Sequence, residues 1–197
     1  MSVSIRPQDG SDIWSEGGPW RFSRESVVDG AAADLLFSLY QHAFEPLKTQ
    51  AAARQVLTHD EFLAQMKDER IDKYVAWEPD GAPVGLITLT RHLEAVPWIS
   101  PEYLAARYPE PWARKAIYYL GFLLARPSTR PARFLETIVR SCITPLISER
   151  AVIAWDVCSH NDDVLNFSER ISQVVQQSSH SHVKKLDTQV YYAVNFT

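Results

Sequence analysis

Three arginines crowd one short stretch of this chain, Arg126, Arg130 and Arg133, just before an amphipathic run that reads as a helix. Guanidinium groups beside a helix N-terminus, where the first backbone N–H groups lack partners, suit a phosphate or another anion. Three solvated arginines beside Glu136 are the plain alternative. A second pair, His92 and Glu94, follows the apolar residues 84–90, and either side chain can take a proton. Glu94 is the better candidate for a general base. Trp98 follows it closely, and shielding a carboxylate from water raises its pKa toward the working range. Asn161 precedes a helical pattern and suits its N-cap. His180 and His182 sit in the polar stretch QQSSHSHVKK with no further ligands nearby, so no metal is expected. Cys142 and Cys158 have no metal-like spacing and read as reduced thiols. Cys158 lies near His160, but nothing marks it as activated.

These residues need elements to position them. Residues 1–18 are polar and glycine-containing and read as an N-terminal arm, with one domain over residues 19–197. Trp20 to Arg24 alternate as a half-buried strand does. Leu35, Leu36, Leu39, Tyr40, Ala43 and Phe44 recur at helical spacing, and Thr58-His59-Asp60-Glu61 is a capping box for a second helix. Residues 74–77 and 84–90 form two strands joined by the turn Glu78-Pro79-Asp80-Gly81. Residues 91–115 combine four prolines with Trp98, Tyr103, Tyr108 and Trp112, which predicts a long, packed loop with one short helix at 101–107. A strand over 116–125, a helix from about Pro131, a strand over 152–157, a helix over 162–176 and a closing strand over 188–196 complete the chain. Tyr118 and Tyr119, and again Tyr191 and Tyr192, should place one ring toward the core and one toward a cleft.

That order resembles the fold of the GNAT superfamily of N-acyltransferases over residues 20–196. Three local matches carry the resemblance. Leu123-Leu124-Ala125-Arg126-Pro127 followed by Arg130 is similar to the strand, proline and basic residue before the superfamily's pyrophosphate loop. Trp155-Asp156-Val157 followed by Asn161 is similar to the strand, Asn and helix that close its cofactor site. Residues 189–196 resemble its last strand. The fold class implied is α/β (α+β), with a mixed, mostly antiparallel sheet, a splayed parallel strand pair and flanking helices. By position the resemblance puts that splayed pair at residues 86–90 and 119–124.

The resemblance further implies acyl transfer from acyl-CoA or acetyl-CoA to a small-molecule amine. Backbone at Phe122, Leu123 and Leu124 would hold the thioester and its oxyanion, while Arg126, Arg130, Arg133 and Asn161 would bind the donor. Glu94 would serve as base, and Ser168 would stand where many relatives carry a tyrosine that protonates the thiolate. The loop Arg130-Pro131-Ala132-Arg133-Phe134-Leu135 departs from the superfamily pattern Q/R-x-x-G-x-G/A, with Arg133 and Leu135 at the glycine positions. That departure keeps two other readings open: an acyl carrier protein as donor, or a catalytically silent domain that binds a ligand or partner.

The remaining features exclude more than they assign. At 197 residues and 46% hydrophobic content, the chain can bury a sizeable core. A net charge of −4 gives no reason to expect nucleic-acid binding. No apolar run reaches the roughly 18 residues of a membrane span or forms a signal peptide, so a cytoplasmic protein is expected.

Overall fold

The computed structural model of the protein describes residues 13–14, 20–126 and 131–196. Among the described residues six strands form one sheet in sequence order: β1 (Ile13–Trp14), β2 (Arg21–Glu25), β3 (Asp72–Trp77), β4 (Pro83–Thr90), β5 (Ile117–Ala125) and β6 (Val152–Ala154). Neighbours are antiparallel except β5 and β6, which run parallel, with Ile117, Tyr118 and Tyr119 opposite Val152, Ile153 and Ala154. The expected pairing of residues 86–90 with 119–124 is therefore corrected. Those strands are antiparallel and stay paired, with Leu86 opposite Leu124 and Thr90 opposite Tyr119. A parallel pair needs a crossover of a dozen or more residues. The helix between β5 and β6 supplies that crossover.

Helices cover both faces. On one side lie α1 (Gly30–Phe44) and α3 (His59–Lys67), with the short α2 (Leu47–Gln50) between them. Leu36, Tyr40, Phe62 and Met66 meet Val75, Trp77, Leu86, Phe122 and Leu124 of the sheet. The capping box forms as expected: Glu61 N–H donates to Thr58 Oγ1 and Thr58 N–H to the Glu61 carboxylate. On the other face, α6 (Pro131–Ser148) and α7 (Phe167–Ser178) bury Phe134, Ile138, Val139, Ile171 and Val174 against Ile87, Leu89 and Tyr118. Gly85 makes this approach possible, since a Cβ there would lie 2.5 Å from the Phe134 ring.

The hairpin between β3 and β4 closes through Gly81, whose φ of 88° favours glycine. The loop after β4 holds a 3₁₀ turn (Leu93–Ala95), the expected α4 (Pro101–Arg107) and an unexpected α5 (Pro109–Ala113), whose proline opens it where an N–H is dispensable.

Two other expectations change. The helix expected over 162–176 splits into a π turn (His160–Val164) and α7, separated by Asn166 in left-handed conformation. Residues 188–196 join no strand; Tyr191 and Tyr192 are both exposed, so the core-and-cleft pairing expected for them does not form.

Candidate functional site

The candidate site centres on β5 past Tyr119. Up to that residue β5 is paired on both edges. Beyond it β6 has ended, and no other strand among the described residues takes its place. Arg126 N–H bonds Val84 O at 2.8 Å, and Phe122 N–H bonds Thr88 Oγ1 at 2.9 Å. Amides on a strand alternate in direction. Those of Phe122, Leu124 and Arg126 therefore face β4, while those of Leu123 and Ala125 face the open side. Of the three backbone positions expected to serve a thioester, Leu123 is the one whose N–H points into the gap.

A bulge sets this arrangement. Leu89 pairs with Leu120 and Ile87 with Leu123, so Gly121 and Phe122 together face Thr88. The extra residue swaps the faces: Tyr119, Phe122 and Leu124 lie on the α1–α3 side, Tyr118 and Leu123 on the α6 side. Gly121 is exposed, and a Cβ on it would come within 2.7 Å of the Thr88 hydroxyl. The Gly121→Ala variant should force Thr88 to turn and leave the Phe122 N–H unpaired, a loss of about 1–3 kcal/mol. Urea unfolding reads this directly; an unchanged midpoint would show that the bulge does not depend on Thr88.

Beside the bulge is a small cavity whose lining includes Thr88, Thr90, Val96, Trp98, Tyr119 and Gly121. The aromatic loop thus contributes Val96 and Trp98. Tyr119 is buried, receives the Trp98 indole N–H at 2.9 Å and donates its hydroxyl to Asp156 Oδ1. Asp156 lies two residues beyond the end of β6. The residue keeps an exposed edge, yet its carboxyl is crowded by these rings. Loss of water pushes it above the ordinary carboxylate range, against the opposing pull of the Trp98 N–H. Such a carboxyl holds a proton more readily than a solvated one. The sequence reading passed over Asp156 as a catalytic group, although an acidic residue straight after the apolar stretch Val152-Ile153-Ala154-Trp155 was a usable signal.

The other candidates lie as follows. Glu94 is exposed and sits 3.2 Å from His92 Nδ1. Its carboxyl is held below the usual range, first by its own backbone N–H and then by His92. The shielding and upward shift expected from Trp98 are therefore corrected; Trp98 turns to Tyr119 instead. Tyr118 points to the opposite face, where its hydroxyl donates to Glu149 at 2.7 Å and accepts from Arg91. Arg126 meets Glu78 at 2.9 Å. Arg130 lies outside the described residues, and Arg133 belongs to the first turn of α6 by backbone. Leu135, at this glycine position, is partly buried and packs against the α6-side core. Asn161 lies within the π turn and does not cap α7; the Ser168 N–H, in the first turn of α7, is taken by Asp162 at 3.2 Å. Neither Asn161 nor the Ser168 hydroxyl is among the partners of Asp156. Both cysteines are free, and Cys142 is buried. Among the described residues no cluster could hold a metal ion, and no helix is long and apolar enough to cross a membrane.

No protein-family model matches the sequence, and no curated protein matches it. Solved structures do. A protein of Agrobacterium tumefaciens str. C58, provisionally named an acetyltransferase, aligns at a TM-score of 0.50 and 18% identity, covering 86% of this chain and 99% of its own. A second so named, from Acinetobacter baylyi ADP1, aligns at 0.50 and 10% identity over 76% of each chain. A GCN5-related N-acetyltransferase of Ralstonia eutropha JMP134 aligns at 0.44 and 14% identity, over 87% of this chain and 98% of its own. With the order of strands and helices and the parallel pair that parts after Tyr119, the two likenesses at a TM-score of 0.50 bear out the fold expected from the sequence, the GNAT-like one.

Proposed function

We propose that the protein is an N-acyltransferase that moves an acyl group from an acyl-CoA thioester to a small-molecule amine. The observation that carries this reading is the open edge of β5, with the Leu123 N–H directed into it, beside the Tyr119–Trp98–Asp156 group. In this reading the amine nitrogen attacks the thioester carbon and the Leu123 N–H receives the developing oxyanion. The Asp156 carboxylate takes the proton that nitrogen loses, with Tyr119 and Trp98 fixing its position. The C–S bond then breaks and the thiolate takes a proton, for which Ser168, through a bound water, is the candidate donor. Leu135 packs against the core, and Arg126, Arg130 and Arg133 remain the candidates for the donor's phosphates that the sequence resemblance implies.

Thermal unfolding with acetyl-CoA, free CoA, phosphopantetheine and a loaded acyl carrier protein tests the donor. Ligand at a hundredfold excess over Kd stabilises a fold by about 2.7 kcal/mol. For a chain of this size that is a rise of roughly 5–10 °C in Tm. Acetyl-CoA and CoA should both give it. A response to the carrier protein alone would replace CoA as donor, and no response to any would leave a silent domain.

A further inference from the structure

We propose, resting on the acyl-transfer reading, that the acceptor is a primary amine whose far end carries one small uncharged hydrogen-bonding group, and that Gln65 selects that group. The cavity beside the β4–β5 bulge reaches from Tyr119 and Gly121 to Gln65 of α3. Gln65 stands one turn beyond Phe62 and next to Met66, both fully buried against the sheet. It is itself half-buried, at the rim of the helix face that meets the sheet.

The other polar groups around this cavity are nearly all committed. The Tyr119 hydroxyl donates to Asp156 and accepts the Trp98 indole N–H. Thr90 Oγ1 donates to Arg70 O at 2.7 Å and accepts the His92 N–H at 3.0 Å. Thr88 Oγ1 accepts the Phe122 N–H, which leaves it only its own O–H. The Gln65 amide differs: it has no hydrogen-bond partner among the described residues. It offers both a donor and an acceptor to whatever enters, the complement of a hydroxyl.

Charge and size narrow the ligand. Among the described residues no Asp, Glu, Lys, Arg or His lines the cavity. An ammonium or carboxylate placed there would give up water without meeting an opposite charge. The cavity volume is about 20 Å³, room for one water-sized group. The body of the amine must then lie outside, and Trp98 supplies a surface for it. That ring is 54% exposed, yet its N–H bond to Tyr119 holds it in place. A flat apolar body can lie on it, with the amine turned toward Asp156 and the far end toward Gln65. The nitrogen gives one proton to Asp156 and takes the acyl group, and the thiolate leaves.

A matched series tests this on the full chain. Tyramine, phenethylamine and the para-carboxylate and para-aminomethyl analogues of phenethylamine share one body. They place a hydroxyl, a hydrogen, a carboxylate or an ammonium at its far end. Calorimetry should rank their binding, and kcat/KM with acetyl-CoA should follow the same order. Tyramine should lead phenethylamine by about tenfold, as one hydrogen bond would give. It should lead both charged analogues by about a hundredfold or more. Gln65→Leu should reverse the first preference, and Gln65→Glu should bring the aminomethyl analogue to the front. Circular dichroism and the rise in Tm with acetyl-CoA should be parental in both variants, whereas a merely structural loss would weaken all four amines together. A parent that binds either charged analogue as well as tyramine overturns the proposal, and so does a Gln65→Leu variant that keeps the parental order. A parent that binds none of the four overturns it too, and a normal Tm rise with acetyl-CoA would then leave the acyl-transfer reading standing. If no donor raises Tm while the amine ranking holds, that reading falls and Gln65 still selects the amine.

Discussion

Asp156→Asn should lower turnover by about 10²- to 10⁴-fold, the usual worth of a positioned proton acceptor, while acetyl-CoA raises Tm as much as in the parent. A base works only when deprotonated, so the parent rate should rise with pH through a midpoint above the ordinary carboxylate range, the direction in which burial moves this carboxyl. The variant should lose that rise. Tyr119→Phe should shift the midpoint, because it removes the hydroxyl that donates to Asp156. Glu94→Gln should change neither rate nor profile, since Glu94 is a solvated partner of His92. Stability gives a readout independent of substrate. A carboxyl with a raised folded-state pKa holds its proton longer when folded, so its contribution is present below the unfolded pKa and lost as pH rises through the folded one. At neutral pH Asp156→Asn should therefore unfold at the same or a higher urea concentration than the parent. Near-parental turnover at every pH would remove Asp156 from the chemistry, whatever the donor panel shows.

The largest stability loss is expected for Phe134→Ala, about 3–5 kcal/mol by the cost of deleting a buried aromatic ring. Phe134 is fully buried, lies over the backbone of Gly85, and meets Trp20 edge to face at 5.0 Å. It is the first apolar anchor of α6 on the sheet, so its loss should also loosen the helix start that holds Arg133. Gly85→Ala attacks the same contact from below and should cost about 1–3 kcal/mol by overpacking. The two effects should not add: with the ring gone, the new methyl group meets only the Leu124 carbonyl, at 3.1 Å. Urea midpoints for both single variants and the double one decide it; strict additivity would mean that the ring and the glycine do not share a site.

How far the sequence reaches can be judged element by element. Thr58 and Glu61 determine the start of α3 by themselves, because both partners of the capping box lie within four residues. Gly81 and Pro101 act locally in the same way, and the order of strands and helices that resembles a GNAT domain follows from such signals and from hydrophobic period. Pairing is another matter. Residues 86–90 carry the same apolar pattern whether their neighbour runs parallel or antiparallel, and only the crossover through α6 decides that β6 is the parallel partner of β5. The candidate site falls on the tertiary side of that line. Glu94 and Asp156 are both acidic residues just past a strand, and sequence gives no means to rank them. The packed chain brings Tyr119 and Trp98 to Asp156, while Glu94 is left to His92 and water. Residues 188–196 have the composition of a strand, but a strand exists only where an edge receives it. Local sequence thus determined the elements, because their hydrogen bonds close within a few residues. The contacts between distant residues decided the gap beyond Tyr119 and the shielded carboxyl of Asp156 beside it, because desolvation and strand direction are properties of the packed chain.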